Sequence, residues 1–147
     1  MTGSRTQYVA HDNVTDAHEK RIKDALGDYH DLIGAPPFQK SAGLHQYKDG
    51  DTIVCEAVCE SVYKLFHIEL LVTYPAYRGQ GFGAAFLKEL EAHAREKGMV
   101  TMSLSTASYQ APGFYTKCGF TEVARFPLGI THNGKPQDKI YFRKILD

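Results

Sequence analysis

Between an apolar run, Phe66 to Thr73, and an amphipathic segment, Gly83 to Lys97, the chain reads Tyr-Arg-Gly-Gln-Gly-Phe-Gly-Ala over positions 77–84. A strand that turns through glycines into a helix builds an anion cradle. Glycine lets the backbone approach a ligand without a Cβ, and the first-turn amides with the positive end of the helix dipole favour negative charge. The motif therefore predicts a strand-turn-helix unit inside a sheet, and a ligand that carries phosphate.

Length and charge narrow the class. A chain of 147 residues, 43% hydrophobic, suits one compact domain over 1–147 with its own core. Seventeen basic residues balance seventeen acidic ones, so no global field draws in nucleic acid or an anionic membrane, and a small-molecule or peptide partner is expected. Met1 to Thr6 is short and polar, unlike a signal peptide, and no stretch approaches the roughly 20 apolar residues of a membrane span. A soluble, cytoplasmic protein is the expectation. Cys55, Cys59 and Cys118 form no CxxC pair, which suits free thiols in a reducing compartment.

The element order follows from periodicity and breakers. Gln7 to His11 reads as a first strand, and Thr15 to Ile33 places Ile22, Leu26, Tyr29 and Ile33 at helical spacing before Gly34, Pro36 and Pro37. Leu44 to Lys48, the Asp49-Gly50 turn and Thr52 to Val58 read as a hairpin leading on to Phe66 to Thr73. After the glycine turn, Phe86, Leu87, Leu90 and Ala94 line one helix face, and Gly98 ends it. Met99 to Ser105 is a further strand, Pro112 opens a short helix over Phe114 to Cys118, and Thr121 to Phe126 and Lys139 to Ile145 close the chain. The intervening Leu128 to Asp138 reads as a long loop able to fold over an acceptor site as a lid.

Several ligand classes compete for the glycine turn. A Walker A loop needs Gly-Lys-Ser/Thr, which Gly83, Ala84 and Ala85 do not supply. Gly79, Gly81 and Ala84 formally satisfy GxGxxG/A, but a dinucleotide site wants an acid about 20 positions on, and Met99 to Ser105 holds none. A turn that binds nothing is the bland alternative, although three closely spaced glycines are costly without a backbone-approach reason.

The order Arg78, Gln80, Gly81, Gly83 resembles the Arg/Gln-x-x-Gly-x-Gly/Ala signature of the GNAT superfamily of N-acetyltransferases. Ile68 to Pro75 is similar to the strand before that loop, and Ala111 to Phe120 resembles the second motif, a Phe-Tyr pair followed by Gly-Phe. Pro127, Gly129, Tyr141 and Phe142 look like the tail of one bacterial subgroup. The resemblance implies a mixed α/β fold: a mostly antiparallel central sheet of about six or seven strands, helices on both faces, splayed at an acetyl-CoA cleft. It implies acetyl-CoA as co-substrate without a metal, and transfer of the acetyl group to a primary amine by direct attack in a ternary complex. Leu71, Val72, Thr73, Arg78, Gly79, Gln80, Gly81, Phe82, Gly83, Ala84 and Tyr115 would contact the cofactor. The Leu71 amide would polarise the thioester carbonyl, and Leu71 and Thr73 would pair with pantetheine like an added strand. A non-catalytic acyl-CoA sensor and a protein-interaction module on the same fold stay open, as does a homodimer.

Acyl transfer from a thioester to an amine needs a neutral nitrogen, a donor for the carbonyl oxygen and a proton for the leaving thiolate. Glu69 stands mid-strand in Ile-Glu-Leu-Leu-Val, where an acid is out of place as packing, and the resemblance puts it where some members keep a general base. Partial burial would raise its pKa toward neutrality. The same carboxylate can also be merely solvated or structural. Tyr115 falls on the family's general-acid tyrosine; its phenol, of reference pKa about 10, can protonate a thiolate, or it can simply be packed. Phe114 is expected in the core.

Other clusters point nowhere firm. Cys55 and Cys59 on an extended strand lie about 13 Å apart, too far for one zinc with His67. Cys118 reads as a small buried residue. His11, Asp12, His30 and Asp31 flank the first helix and read as its polar ends, while Lys135, Lys139, Arg143 and Lys144 make a basic, solvated C-terminal end. Many family members carry a glycine pair where this chain has Ile53 to Ala57, which implies a narrower acceptor side.

Overall fold

The computed structural model describes residues 5–146, so most of the polar N-terminal stretch read above and the last residue lie outside it. Among the described residues two units divide after Phe38. The first carries helix α1, Asp16–Leu32, opened by a reciprocal cap in which the Thr15 hydroxyl accepts from the His18 amide while the Thr15 amide donates to His18 Nδ1. The apolar stripe forms as its spacing predicts, but none of its residues is buried. Gln7 to His11 is irregular rather than a strand. Tyr8 and Val9 are exposed, and an extended pentapeptide is stable only with a neighbour to pair with.

The second unit is built on six strands: β1 Lys40–Asp49, β2 Thr52–Val62, β3 Leu65–Thr73, β4 Thr101–Ala107, β5 Thr121–His132 and β6 Lys135–Ile145. Their order in the sheet is β1-β2-β3-β4-β6-β5. Only β3 and β4 are parallel, and the crossover between them is helix α2, Phe82–Glu96. A short helix α3, Gly113–Lys117, follows β4. The apolar stripe of α2 is buried as read, with Phe86, Leu87, Leu90 and Ala94 against Val54, Cys55, Ala57, Cys59, Phe66, Ile68, Met102 and Leu104. Burial pushes the Cys59 thiol up to about 12, so it serves as packing.

What positions the site is a defect in β3. Phe66 and Ile68 are buried on the α2 side, and the next inward residues are Leu71 and Thr73. The step of three instead of two marks a bulge at Glu69 and Leu70, where the β2–β3 register shifts between Val58 and Cys59. The β3–β4 ladder ends at the same place: its last rung is Ile68 with Leu104, although β3 runs on to Thr73 and β4 to Ala107. On its other side β4 stays paired with β6 as far as Ala107. The sheet therefore opens between β3 and β4, as a bulged strand bends away from a straight one.

Leu128 to Asp138 is not a free loop. β5 and β6 continue their pairing to His132 with Lys135, leaving Asn133 and Gly134 as the turn, and irregular register between Pro127 and Thr131 takes up the extra residues. The segment carries Gly129 and Pro136 and is preceded by Pro127, residues that disguise a strand in a sequence. The lid expectation falls with it.

Lys144 of β6 ties this end of the sheet to α2. Its Nζ lies 2.8 Å from Glu91 Oε2 and donates to the Cys118 carbonyl at 3.1 Å, with both side chains of the pair mostly covered. Burial pushes the Glu91 carboxyl up, but Lys144 and Arg95 together outweigh it and hold the group below its ordinary value. A depressed carboxylate stabilises the fold above its unfolded pKa of about 4.3, and that contribution is lost as pH falls through the folded value. Lys144→Met should cost about 1–2 kcal/mol in urea unfolding at neutral pH, and the difference from wild type should shrink below about pH 4.

Candidate functional site

The cradle is set by backbone that only glycine adopts easily. Gly79 and Gly81 have φ of +73° and +83°, and Gly81 stands before the first turn of α2 without a side-chain cap on the helix. The amides of Phe82, Gly83 and Ala84 thus open the helix with no intrahelical acceptor. Gly83 answers a different need, since a Cβ there would lie 3.2 Å from Phe114 Cζ and 3.3 Å from Thr73 Oγ1. Two side chains staple the turn: Arg78 Nε donates to the Thr73 carbonyl at 2.9 Å, and Gln80 Nε2 to the Ala76 carbonyl at 3.1 Å. The Gln80 side chain, unremarkable in the sequence, fixes the loop.

Two cavities flank the opening in the sheet. One, of ≈ 600 Å³, runs over the cradle and is lined by Thr73, Arg78, Gly81, Gly83, Gln110 and Tyr115 among others. The other, of ≈ 300 Å³, lies in the gap between β3 and β4 and includes Glu69, Leu71, Ser105, Thr106, Gln110 and Tyr115. Gln110 and Tyr115 belong to both. The two spaces meet at these two side chains.

Tyr115 projects from α3 among Phe114, Phe120 and Phe142, at centroid distances of 5.2, 6.1 and 5.7 Å. Burial, with a smaller contribution from Cys118, pushes its phenol above the ordinary tyrosine value, so it is protonated throughout the physiological range. Phe114 beside it is half-buried rather than a core residue, because it packs on the open edge at Gly83.

Gln110 escapes a reading of the sequence. Its Oε1 accepts from the Ala107 amide at 3.0 Å and the Thr106 hydroxyl at 3.1 Å. A backbone N–H can only donate, so this fixes which end of the amide is oxygen, and the NH₂ group is left to donate elsewhere. The signal was its place three residues beyond the end of β4, the reach of a side chain that closes a turn on the backbone.

Glu69 sits on the bulge, with its side chain 52% exposed and Oε2 3.4 Å from His67 Nε2. It is more open than the partial burial expected of it, and its neighbour is an imidazole. Leu71 and Thr73 point inward and Val72 outward on the stretch of β3 that has no β4 partner. His11, Asp12, His30 and Asp31 belong to the first unit, and none is buried. Cys55 and Cys59 face the α2 core, whereas His67 takes the opposite face of the sheet, so they share no site. No helix among the described residues is long and apolar enough to cross a membrane.

Comparison with known proteins identifies the family. Residues 42–122, more than half of the chain, match the acetyltransferase (GNAT) domain family. The blasticidin-S acetyltransferase of Streptomyces morookaense is 34% identical over 73 residues, 47% of this chain and 54% of that protein. The chain thus spans about half the length of this curated relative. Among solved structures, an acetyltransferase from Bacillus cereus superposes with a TM-score of 0.71 at 25% identity, covering 94% of this chain and 98% of the other. A Bacillus subtilis acetyltransferase in complex with CoA shares the fold at a TM-score of 0.65 and 17% identity, over 93% and 96% of the two chains. With the matched stretch running from β1 into β5, through the bulged strand, the glycine turn and Tyr115, the chain belongs to the GNAT acetyltransferase family.

Proposed function

We propose that the protein is an N-acetyltransferase that moves an acetyl group from acetyl-CoA to a primary amine of a small molecule or peptide, acting as one domain in the cytoplasm. The observation that carries this reading is the meeting of two cavities at Tyr115 and Gln110, one over an anion cradle and one beside Glu69. A two-substrate transfer needs such a junction, and a one-ligand sensor does not.

Fit to the cofactor rests on three features. Gly83 leaves the helix start clear where a Cβ would crowd it, the uncapped amides of Phe82, Gly83 and Ala84 suit a pyrophosphate, and β3 beyond Ile68 offers main-chain groups without a β4 partner. Arg78, Gly79, Gln80 and Gly81 shape the turn around the anion, while Leu71, Val72 and Thr73 would pair with an extended pantetheine as an added strand does. Acetyl-CoA supplies the activated thioester. The Leu71 amide polarises its carbonyl, with the Gln110 NH₂ group close by as a second donor. Glu69 takes the proton of the attacking amine, directly or through a water, as the C–N bond forms, and Tyr115 gives its proton to sulfur as the C–S bond breaks.

The test is release of free CoA thiol from acetyl-CoA in the presence of a panel of amines, with the acetylated product identified by mass. Amine-dependent release at turnover above about 0.1 s⁻¹, below the usual enzyme range of about 1–10³ s⁻¹, bears the reading out. A chain that binds CoA yet acetylates no amine would be a sensor, and one that does not bind CoA would be neither.

A further inference from the structure

The face of the sheet opposite α2 carries a line of polar contacts that starts at Glu69 and leads away from the cleft. Glu69 Oε2 is 3.4 Å from His67 Nε2, and His67 Nδ1 is 2.8 Å from Ser103 Oγ. His67 and Ser103 are register partners one rung before the β3–β4 ladder ends, so the imidazole stands on the last rigid part of the strand pair. Glu69 is the first residue beyond that pairing and sits on a bulge. A carboxylate so placed needs an anchor to keep one position. The charged groups around the imidazole are Glu69 on its own strand, Glu60, its register partner on β2, ion-paired to Lys40 of β1 at 3.7 Å, and Arg143 of β6, the register partner of Ser103.

We propose that His67 is a positioning residue for the acetyl transfer, one that acts through Glu69 by taking over the proton that Glu69 collects and, once charged, holding its carboxylate. The proposal rests on the acetyltransferase reading above. The relay uses the tautomer that donates from Nδ1 to Ser103 Oγ and leaves Nε2 as an acceptor toward Glu69. The attacking amine gives one proton to Glu69 Oε2, and Glu69 passes it to His67 Nε2. The imidazolium then donates from both nitrogens, to the carboxylate and to Ser103, until solvent takes the proton. No other bond forms or breaks. A side chain 32% exposed leaves the ring that access to water, and Glu69 is returned as carboxylate for the next turnover.

The experiment is the pH profile of kcat/KM for wild type, His67→Gln and Ser103→Ala, with the amine that gives the highest wild-type turnover. A relay that must be empty to work gives wild type an acid limb in its profile. In His67→Gln that limb moves to lower pH by about one unit or more, and kcat falls about tenfold. KM for acetyl-CoA stays within about twofold, because neither cofactor-side cavity residue is touched, and added imidazole restores part of the rate. Ser103→Ala, which removes only the Nδ1 partner, lowers kcat about threefold and is the second arm should His67→Gln fold poorly. An acid limb that stays in place in His67→Gln with kcat preserved overturns the proposal, as does a Ser103→Ala enzyme indistinguishable from wild type. A wild-type chain that acetylates no amine overturns the acetyltransferase reading itself, a result distinct from either.

Discussion

Tyr115→Phe is expected to lower kcat by about two to three orders of magnitude, the range in which a positioned general acid operates, with KM for acetyl-CoA changed by no more than a few-fold. The substitution keeps the ring stacked on Phe114, Phe120 and Phe142, so the fold is undisturbed and only the phenol is lost. Burial holds that phenol above its ordinary pKa. It is therefore a proton donor across the working range, and its own ionisation contributes no limb to the pH profile below about pH 10. A loss in kcat without a loss in KM marks an interaction made in the transition state. Steady-state kinetics by thiol release measures both. A mutant with near wild-type kcat removes Tyr115 from the mechanism.

Gly83→Val should weaken acetyl-CoA binding by about 30-fold or more, equivalent to roughly 2 kcal/mol, and lower stability by about 1–3 kcal/mol. The site has no slack, since an added Cβ already meets the Phe114 ring at 3.2 Å and the Thr73 hydroxyl at 3.3 Å, and valine adds two more methyl groups. Thr73 ends the strand that faces the cavity over the cradle, and Phe114 stacks on Tyr115, so the strain is delivered to both walls. Titration calorimetry with CoA reads the affinity directly. Unchanged affinity in a folded variant would mean that the turn at the start of α2 does not carry the ligand.

Much of this was legible in the sequence because local rules and tertiary packing agree there. The glycine turn and the buried stripe of α2 each depend on neighbours within a turn or two of chain. What failed depends on partners far away. Gln7 to His11 reads as a strand but is irregular in the fold. Residues 128–138 carry turn-forming Gly and Pro yet form the paired ends of β5 and β6 around the turn at Asn133 and Gly134, across a register irregularity. Glu69 was visible as an acid out of place, but its position on a bulge, its exposure and its contact with His67 follow from the β2 register and the end of the β4 ladder. Gln110 and Ser103 become meaningful only once Thr106 and His67 are brought beside them.

The most direct test is a crystal structure of the chain with CoA. The central claim predicts pyrophosphate on the amides of Phe82 to Ala84, pantetheine along Leu71 to Thr73 in the gap beside β4, and the sulfur within about 4 Å of the Tyr115 hydroxyl. CoA bound away from the opening between β3 and β4, or a β3–β4 ladder closed past Ile68 and Leu104, would contradict it.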